Sequence, residues 1–180
     1  MKNLKFPVGI SNFAKLRDEG YYYIDKTNLI AELLTGGTAE VTLITRPRRF
    51  GKTLAMSMLA DFFDIRRQSQ KHFTELMIAE RQDICCQWQN RYPTIFISFK
   101  DIEGLSFQEA VEQFSLQFAN LYKEYAFLLD CDKIDKDDKA VLQKIKAGKA
   151  DLPEISRALG NLMRIFIMPS SQVFLPELVI

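Results

Sequence analysis

The chain has 180 residues, 47% of them apolar and 26% charged, with a formal net charge of +1. That length and balance suit one ordinary globular domain with a sizeable core. The near-zero charge excludes a global field for nucleic acid or anionic membrane. The three cysteines, Cys85, Cys86 and Cys131, with His72 as the only histidine, form neither a disulfide framework nor a zinc-ligand pattern.

The N-terminal "MKNLKFPVGISNF" lacks the long apolar core of a secretory leader. No stretch approaches the ~20 apolar residues of a spanning helix. The sequence therefore predicts a soluble, cytoplasmic protein with no membrane partner and reduced thiols.

In chain order, a short helix is expected around Asn12 to Asp18, with Ser11 as its cap. "YYYID", Tyr21 to Asp25, is aromatic and β-prone. "KTNLIAELLT" reads as a helix with Leu29, Ile30, Leu33 and Leu34 as its apolar stripe, stopped by Gly36-Gly37. "EVTLIT", Glu40 to Thr45, is a β-branched run and reads as a strand. Lys52 to about Ile65 is helical, and a further helix is expected between His72 and Glu80.

"TIFISF", Thr94 to Phe99, is apolar at both parities, the pattern of a strand buried on both faces. Ser106 to Leu129 forms a long amphipathic helix, with Ser106 and Glu109 as a capping box. "DCDKIDKDDK" is a charged turn, "KAVLQKIKAG" a short helix ending near Gly148, and "LPEISRALGNLMRIF" another with Pro153 in its first turn. The order of elements predicts an α/β fold: a parallel sheet with helical crossovers and a helix-rich C-terminal half. Val41 to Ile44 and Ile95 to Phe99 would be near-neighbouring strands.

The chemistry concentrates in "TRPRRFGKTLAMSML", Thr45 to Leu59. Gly51-Lys52-Thr53 matches the end of the phosphate-binding pattern G-x-x-x-x-G-K-[ST], but Arg46 replaces the first glycine. In such a loop the glycine lets backbone N–H groups approach phosphate oxygens at a helix N-terminus. The lysine reaches the β- and γ-phosphates, and the threonine hydroxyl can ligate Mg²⁺. A G-K-[ST] tripeptide arises by chance in about one chain of this length in ten. The expected strand before it and helix after it reduce that rate. The residues expected to contact ATP are Arg48, Arg49, Phe50, Gly51, Lys52, Thr53 and Leu54, with Thr53 on magnesium. The other reading is a plain strand-to-helix turn. Arg46, Arg48 and Arg49 could also meet nucleic acid, though phosphate-side or solvated roles suit them better.

Three segments, "FPVGISNFAKLRDEGYYYIDKT", "LITRPRRFGKTLAMSMLADFFD" and "YPTIFISFKDIEGLSFQEA", resemble the AAA-ATPase-like domain of bacterial and archaeal proteins. The loop R-P-R-R-F-G-K-[ST] is a signature of that family, in which the first glycine is normally absent. The resemblance runs from about Phe6 to about Met163. It implies a P-loop ATPase fold with a variant Walker A loop, often followed in longer members by a restriction-endonuclease-like domain. Tyr23, Asp25, Lys26 and Thr27 match the family element Y-[IV]-D-K-T. That element either lines the nucleotide pocket or forms a structural turn in which Asp25 or Thr27 caps the next helix.

The family's acidic Walker B strand, closing in "D-E-Y-D", has no counterpart. The sequence after Met163 reads "RIFIMPSSQVFLPELVI", with Glu177 as its only acid. Asp130 and Asp132 follow the apolar "AFLL", but they continue a helical pattern and read as a helix end. Asp101, after "TIFISF", is the physically reasonable substitute. The expected organisation is thus a P-loop domain over residues 1–163 and a divergent tail over 164–180, an amino-terminal piece of the family domain. Three functions follow: an ATPase module completed by another chain or a missing C-terminal segment, a nucleotide-binding or protein-interaction module without turnover, or an inactive remnant. No catalytic residue is identified.

Overall fold

A computed structural model describes residues 4–36, 41–45, 47, 50–100, 102–167 and 178–179. The chain divides into two compact units, Met1–Phe96 with Leu178–Ile180, and Ile97–Glu177.

In the first unit, α1 spans Phe13–Asp18 and is capped by Asn12, not Ser11: Asn12 Oδ1 accepts from the Lys15 N–H at 2.9 Å. Phe13 and Leu16 are fully buried on its inner face. The Phe13 N–H donates to Ser57 Oγ at 3.0 Å, docking α1 on α3, Lys52–Phe63. Helix α2, Asn28–Thr35, ends at Gly36 as expected and buries Ile30 and Ala31. Ala, Leu and Met dominate the first half of α3, all strong helix formers. From Ser57 to Phe63 every residue is buried, so this half is surrounded by the unit's core. Phe62 stands edge-on to both Phe63 and Phe73 at 5.1 and 5.2 Å, a geometry that favours aromatic pairs.

The helix expected between His72 and Glu80 is two shorter pieces, α4 at Gln70–Phe73 and a 3-10 turn at Met77–Glu80. Leu76 lies between them in an extended conformation with φ −105° and ψ 157°, which no helix can continue through. Helix α5, Gln82–Trp88, was not foreseen.

The strands overturn the α/β expectation. Among the described residues, the paired strands are β1, Thr94–Ile95, and β2, Leu178–Val179, parallel with Thr94 opposite Leu178 and Ile95 opposite Val179. Two isolated parallel bridges, Lys5 to Tyr21 and Asp64 to Tyr92, add single contacts. Residues 41–45, read as a strand, have no strand pairing, and Val41 and Leu43 are 85% and 83% exposed. Of "TIFISF" only Thr94 and Ile95 pair, and Phe99 is exposed. "YYYID" contributes one bridge residue and no strand. The described architecture is therefore helical and is not a doubly covered parallel P-loop sheet. The physical reason is that β-propensity records fit to a pleated, half-buried surface. Without a neighbouring backbone to take its N–H and C=O groups, a β-branched run leaves them to water and stays irregular.

Among the described residues, the second unit holds three α-helices and a 3-10 turn. Helix α6, Phe107–Glu124, starts at Ser106, whose Oγ accepts from the Glu109 N–H at 3.2 Å. Glu109 reaches back to the Leu105 N–H at 2.8 Å, one residue earlier than in the usual capping box. The expected continuation to Leu129 is a separate 3-10 turn, Ala126–Asp130. Asp130 closes that turn and Asp132 is exposed beyond it.

Helix α7, Lys136–Lys146, is capped by Asp135 through the Asp138 N–H at 2.7 Å. Gly148 follows at φ 67°, the left-handed conformation that ends many helices. Helix α8, Leu152–Ile167, opens on a reciprocal pair: Asp151 accepts from the Glu154 N–H and Glu154 from the Asp151 N–H, both at 2.9 Å. The Tyr122 hydroxyl donates to the Ala158 carbonyl at 2.7 Å, tying α6 to α8 inside a core that includes Leu121, Leu142, Ile145 and Leu162.

Candidate functional site

Gly51 stands at φ 78° and ψ 22° as the N-cap of α3, a left-handed conformation that side chains with a Cβ rarely adopt. Its carbonyl accepts the Ala55 N–H at 2.9 Å, so the helix begins at once. The Phe50 N–H donates to the Pro47 carbonyl at 3.4 Å, closing the turn before it. Lys52 and Thr53 are exposed in the first helical turn, Leu54 is half-buried, and the Phe50 ring is largely exposed. No acidic residue lies in this turn, and its N-cap Gly51 has no side chain to cap it. The positive end of the helix is therefore uncompensated from within α3 and suited to an anion. Arg46, Arg48, Arg49 and Asp101 lie outside the described residues.

The Tyr23 to Thr27 element comes to the same place from the other side. A Cβ built on Gly51 would lie 3.7 Å from Lys26 Nζ. Its neighbours are structural. Asp25 Oδ1 accepts from the Thr27 N–H and hydroxyl at 2.8 and 2.7 Å, and Asp25 Oδ2 from the Met77 N–H at 2.7 Å. Thr27 Oγ1 accepts from the Ile78 N–H at 3.2 Å. Thr27 stands at the N-cap position of α2, but its side chain makes no capping bond there.

The Tyr23 hydroxyl accepts from the Lys26 N–H at 3.4 Å and donates to Met58 Sδ of α3 at 3.3 Å. Burial pushes that phenol up to about 12, so it stays a neutral donor near pH 7. Asp25 and Thr27 thus form a turn fastened to Met77 and Ile78, without the cap on α2 that the sequence suggested, and Lys26 Nζ lies near Gly51.

Below the loop, α3 carries a polar cluster that sequence reasoning missed. Asp61 is 1% exposed, and its Oδ2 lies 2.6 Å from His72 Nδ1 while its Oδ1 accepts from Arg67 Nη1 at 3.1 Å. Ser69 Oγ and Asn90 Nδ2 donate to the Asp61 carbonyl at 2.6 and 3.2 Å. Arg66 grips Asp64 through two nitrogens, with the shortest contact 2.7 Å. His72 Nε2 faces Asp18 Oδ1 at 3.2 Å. The bond from Lys71, aided by His72, holds the Asp18 carboxyl below the usual carboxylate range against some desolvation. The available signal was two aspartates at Asp61 and Asp64 in an otherwise apolar helical run, since buried carboxylates demand partners.

The chain is a member of the AAA-ATPase-like family: the family model described as "Predicted AAA-ATPase" matches residues 7–157. The chain is also similar to an "Uncharacterized protein in vnfD 5'region" from Azotobacter chroococcum mcd 1, 37% identical over 113 residues. That match covers 58% of this chain and 20% of the other, so it spans about a fifth of the relative's length. No solved structure matches the chain at a significant level. No helix among the described residues is long and apolar enough to cross a membrane.

Proposed function

We propose that the chain binds ATP with magnesium at the N-terminus of α3 and that by itself it turns ATP over at or near background. The observation that carries the reading is the left-handed Gly51 cap followed by exposed Lys52 and Thr53 with no acid in the first turn. Such a turn presents backbone N–H groups and a positive helix end to phosphate oxygens. Lys52 would neutralise the outer phosphates and Thr53 would offer its hydroxyl to the ion. Arg48, Arg49, Phe50 and Leu54 would border the nucleotide. Bound magnesium would neutralise charge on the phosphate chain.

Turnover needs more than holding phosphates. An acid must orient the metal or the attacking water. Asp25, beside Lys26 in sequence, has both oxygens committed to Thr27 and Met77. The reading places the protein in the cytoplasm, where ATP is available. Three free thiols, Cys85, Cys86 and Cys131, fit a reducing compartment.

A second reading, a protein-interaction module, is favoured by the exposure of Val41 and Leu43 just before the loop and of Phe50 within it.

Thermal unfolding with and without Mg·ATP tests the first reading. A ligand held by the folded state alone adds about 2.7 kcal/mol at a hundredfold excess over Kd. The expected result is a raised midpoint in wild type that is largely lost in Lys52→Ala. An equal rise in both proteins would overturn the assignment.

A further inference from the structure

We propose that His72 is a proton-controlled latch: with both ring nitrogens protonated it ties α1 to α3, and loss of one of those protons opens the tie on the α1 side.

The ring is the only imidazole of the chain and stands between two carboxylates on different helices. Nδ1 lies 2.6 Å from Asp61 Oδ2 on α3, and Nε2 lies 3.2 Å from Asp18 Oδ1 on α1. An ionised carboxylate only accepts hydrogen bonds, so both contacts are bonds only when both ring nitrogens carry a proton. A neutral imidazole has one N–H. It can keep one carboxylate and must turn a lone pair toward the other.

Burial decides which link opens. The side chains of His72 and Asp61 are 8% and 2% exposed, whereas that of Asp18 is 48% exposed. A proton kept on Nδ1 spares the buried carboxylate, and water can take over Asp18. The other charged groups around the ring fit a tie that opens without unfolding the unit. Arg67 Nη1 shares Asp61 at 3.1 Å, and Lys71 Nζ shares Asp18 at 2.6 Å. Both cations oppose the second ring proton and so keep it removable. Asp64, one turn further along α3, is taken by Arg66. Arg17 of α1 donates through Nε to the His72 carbonyl at 2.8 Å and faces Glu75 at 4.0 Å. Those bonds remain when the proton leaves, as do the buried Phe13 and Leu16 side chains of α1. The C-terminal end of α1 therefore loosens while its inner face stays docked. The tie is present at lower pH and is lost as pH rises.

Ring-nitrogen NMR and amide hydrogen exchange on the full chain, across one pH series, test the proposal on wild type, Asp18→Asn and His72→Gln. The single histidine makes the ring signals unambiguous. The reporters are the Glu19 and Gly20 amides, which bond the Lys15 and Arg17 carbonyls just past Asp18. In wild type their protection, corrected for intrinsic exchange, should fall in step with the Nε2 proton as pH rises. The expected fall is about three- to tenfold, the worth of one partly exposed charged hydrogen bond. Asp18→Asn should show no such fall, because its amide can turn either its oxygen or its NH₂ toward Nε2. His72→Gln has no proton to lose and should show none either. Asp18→Asn changes a half-exposed side chain and keeps the test open where His72→Gln fails to fold. An Nε2 that carries no proton at any pH at which the chain is folded overturns the latch. Wild-type protection that does not follow the Nε2 proton overturns it as well. An equal fall in wild type and Asp18→Asn overturns the assignment to Asp18.

Discussion

His72 Nδ1 stands 2.6 Å from Oδ2 of Asp61, a carboxylate buried on α3 and also bound by Arg67. The pair joins α4 to α3, the helix that begins at Gly51, and the second ring nitrogen extends the link to Asp18 on α1. Rigid support of this kind holds α3 in one orientation against α1 and α4.

Removing Asp61 should therefore be costly. Asp61→Ala leaves the buried His72 Nδ1 without its acceptor, and leaving a buried polar group unpaired costs about 1–3 kcal/mol. Asp61→Asn retains an acceptor and should lose less. Urea unfolding midpoints of the two variants check the order.

At Gly51 the cost is conformational, because an added Cβ would make only ordinary van der Waals contact with Lys26 Nζ at 3.7 Å. The positive φ of 78° is what an alanine resists, by about 1–2 kcal/mol. Gly51→Ala should lower the urea midpoint modestly and should reduce the stabilisation by Mg·ATP more than proportionally.

Tyr23 sets an alkaline limit. Its phenol is raised to about 12, first by burial, from an unfolded value near 10. The folded state thus keeps a proton that the unfolded state gives up. Stability from this group is fully present below about pH 10 and is lost as pH rises toward about 12. Tyr23→Phe removes this loss, so the stability gap between wild type and variant should narrow over that window. Urea midpoints at a series of alkaline pH values measure it.

In the second unit, Asp151 and Glu154 cap α8 reciprocally. Asp151→Ala should cost about 1 kcal/mol, the usual worth of an N-cap. Asp151→Ser should recover much of it. Guanidinium unfolding resolves the difference.

Turnover is the sharpest test of the functional reading. Steady-state phosphate release by wild type should stay at background. Clear turnover that disappears in both Lys52→Ala and Asp101→Asn would show that Asp101 supplies the missing acid.

What the sequence determined by itself was local. The end of α2 at Gly36, the Ser106 cap of α6 and the stop at Gly148 depend on bonds between residues three to five apart, and the pattern of apolar and capping residues records them. The glycine-lysine-threonine turn is local in the same sense, so its place at the start of α3 was legible. Tertiary structure decided the rest. Glu40 to Thr45 has the composition of a strand, but a strand exists only where another backbone pairs with it, and residues 41–45 have no such pairing. The second half of "TIFISF" fails for the same reason. Asp61 needed His72, Arg67, Ser69 and Asn90 from three later stretches before its burial became tolerable. Lys26 comes near Gly51 in an element that Asp25 and Thr27 fasten to Met77 and Ile78, and that Tyr23 fastens to Met58. Periodicity and propensity describe a residue's neighbours along the chain. Contacts between distant segments are set by which buried polar groups must find partners once those segments have packed.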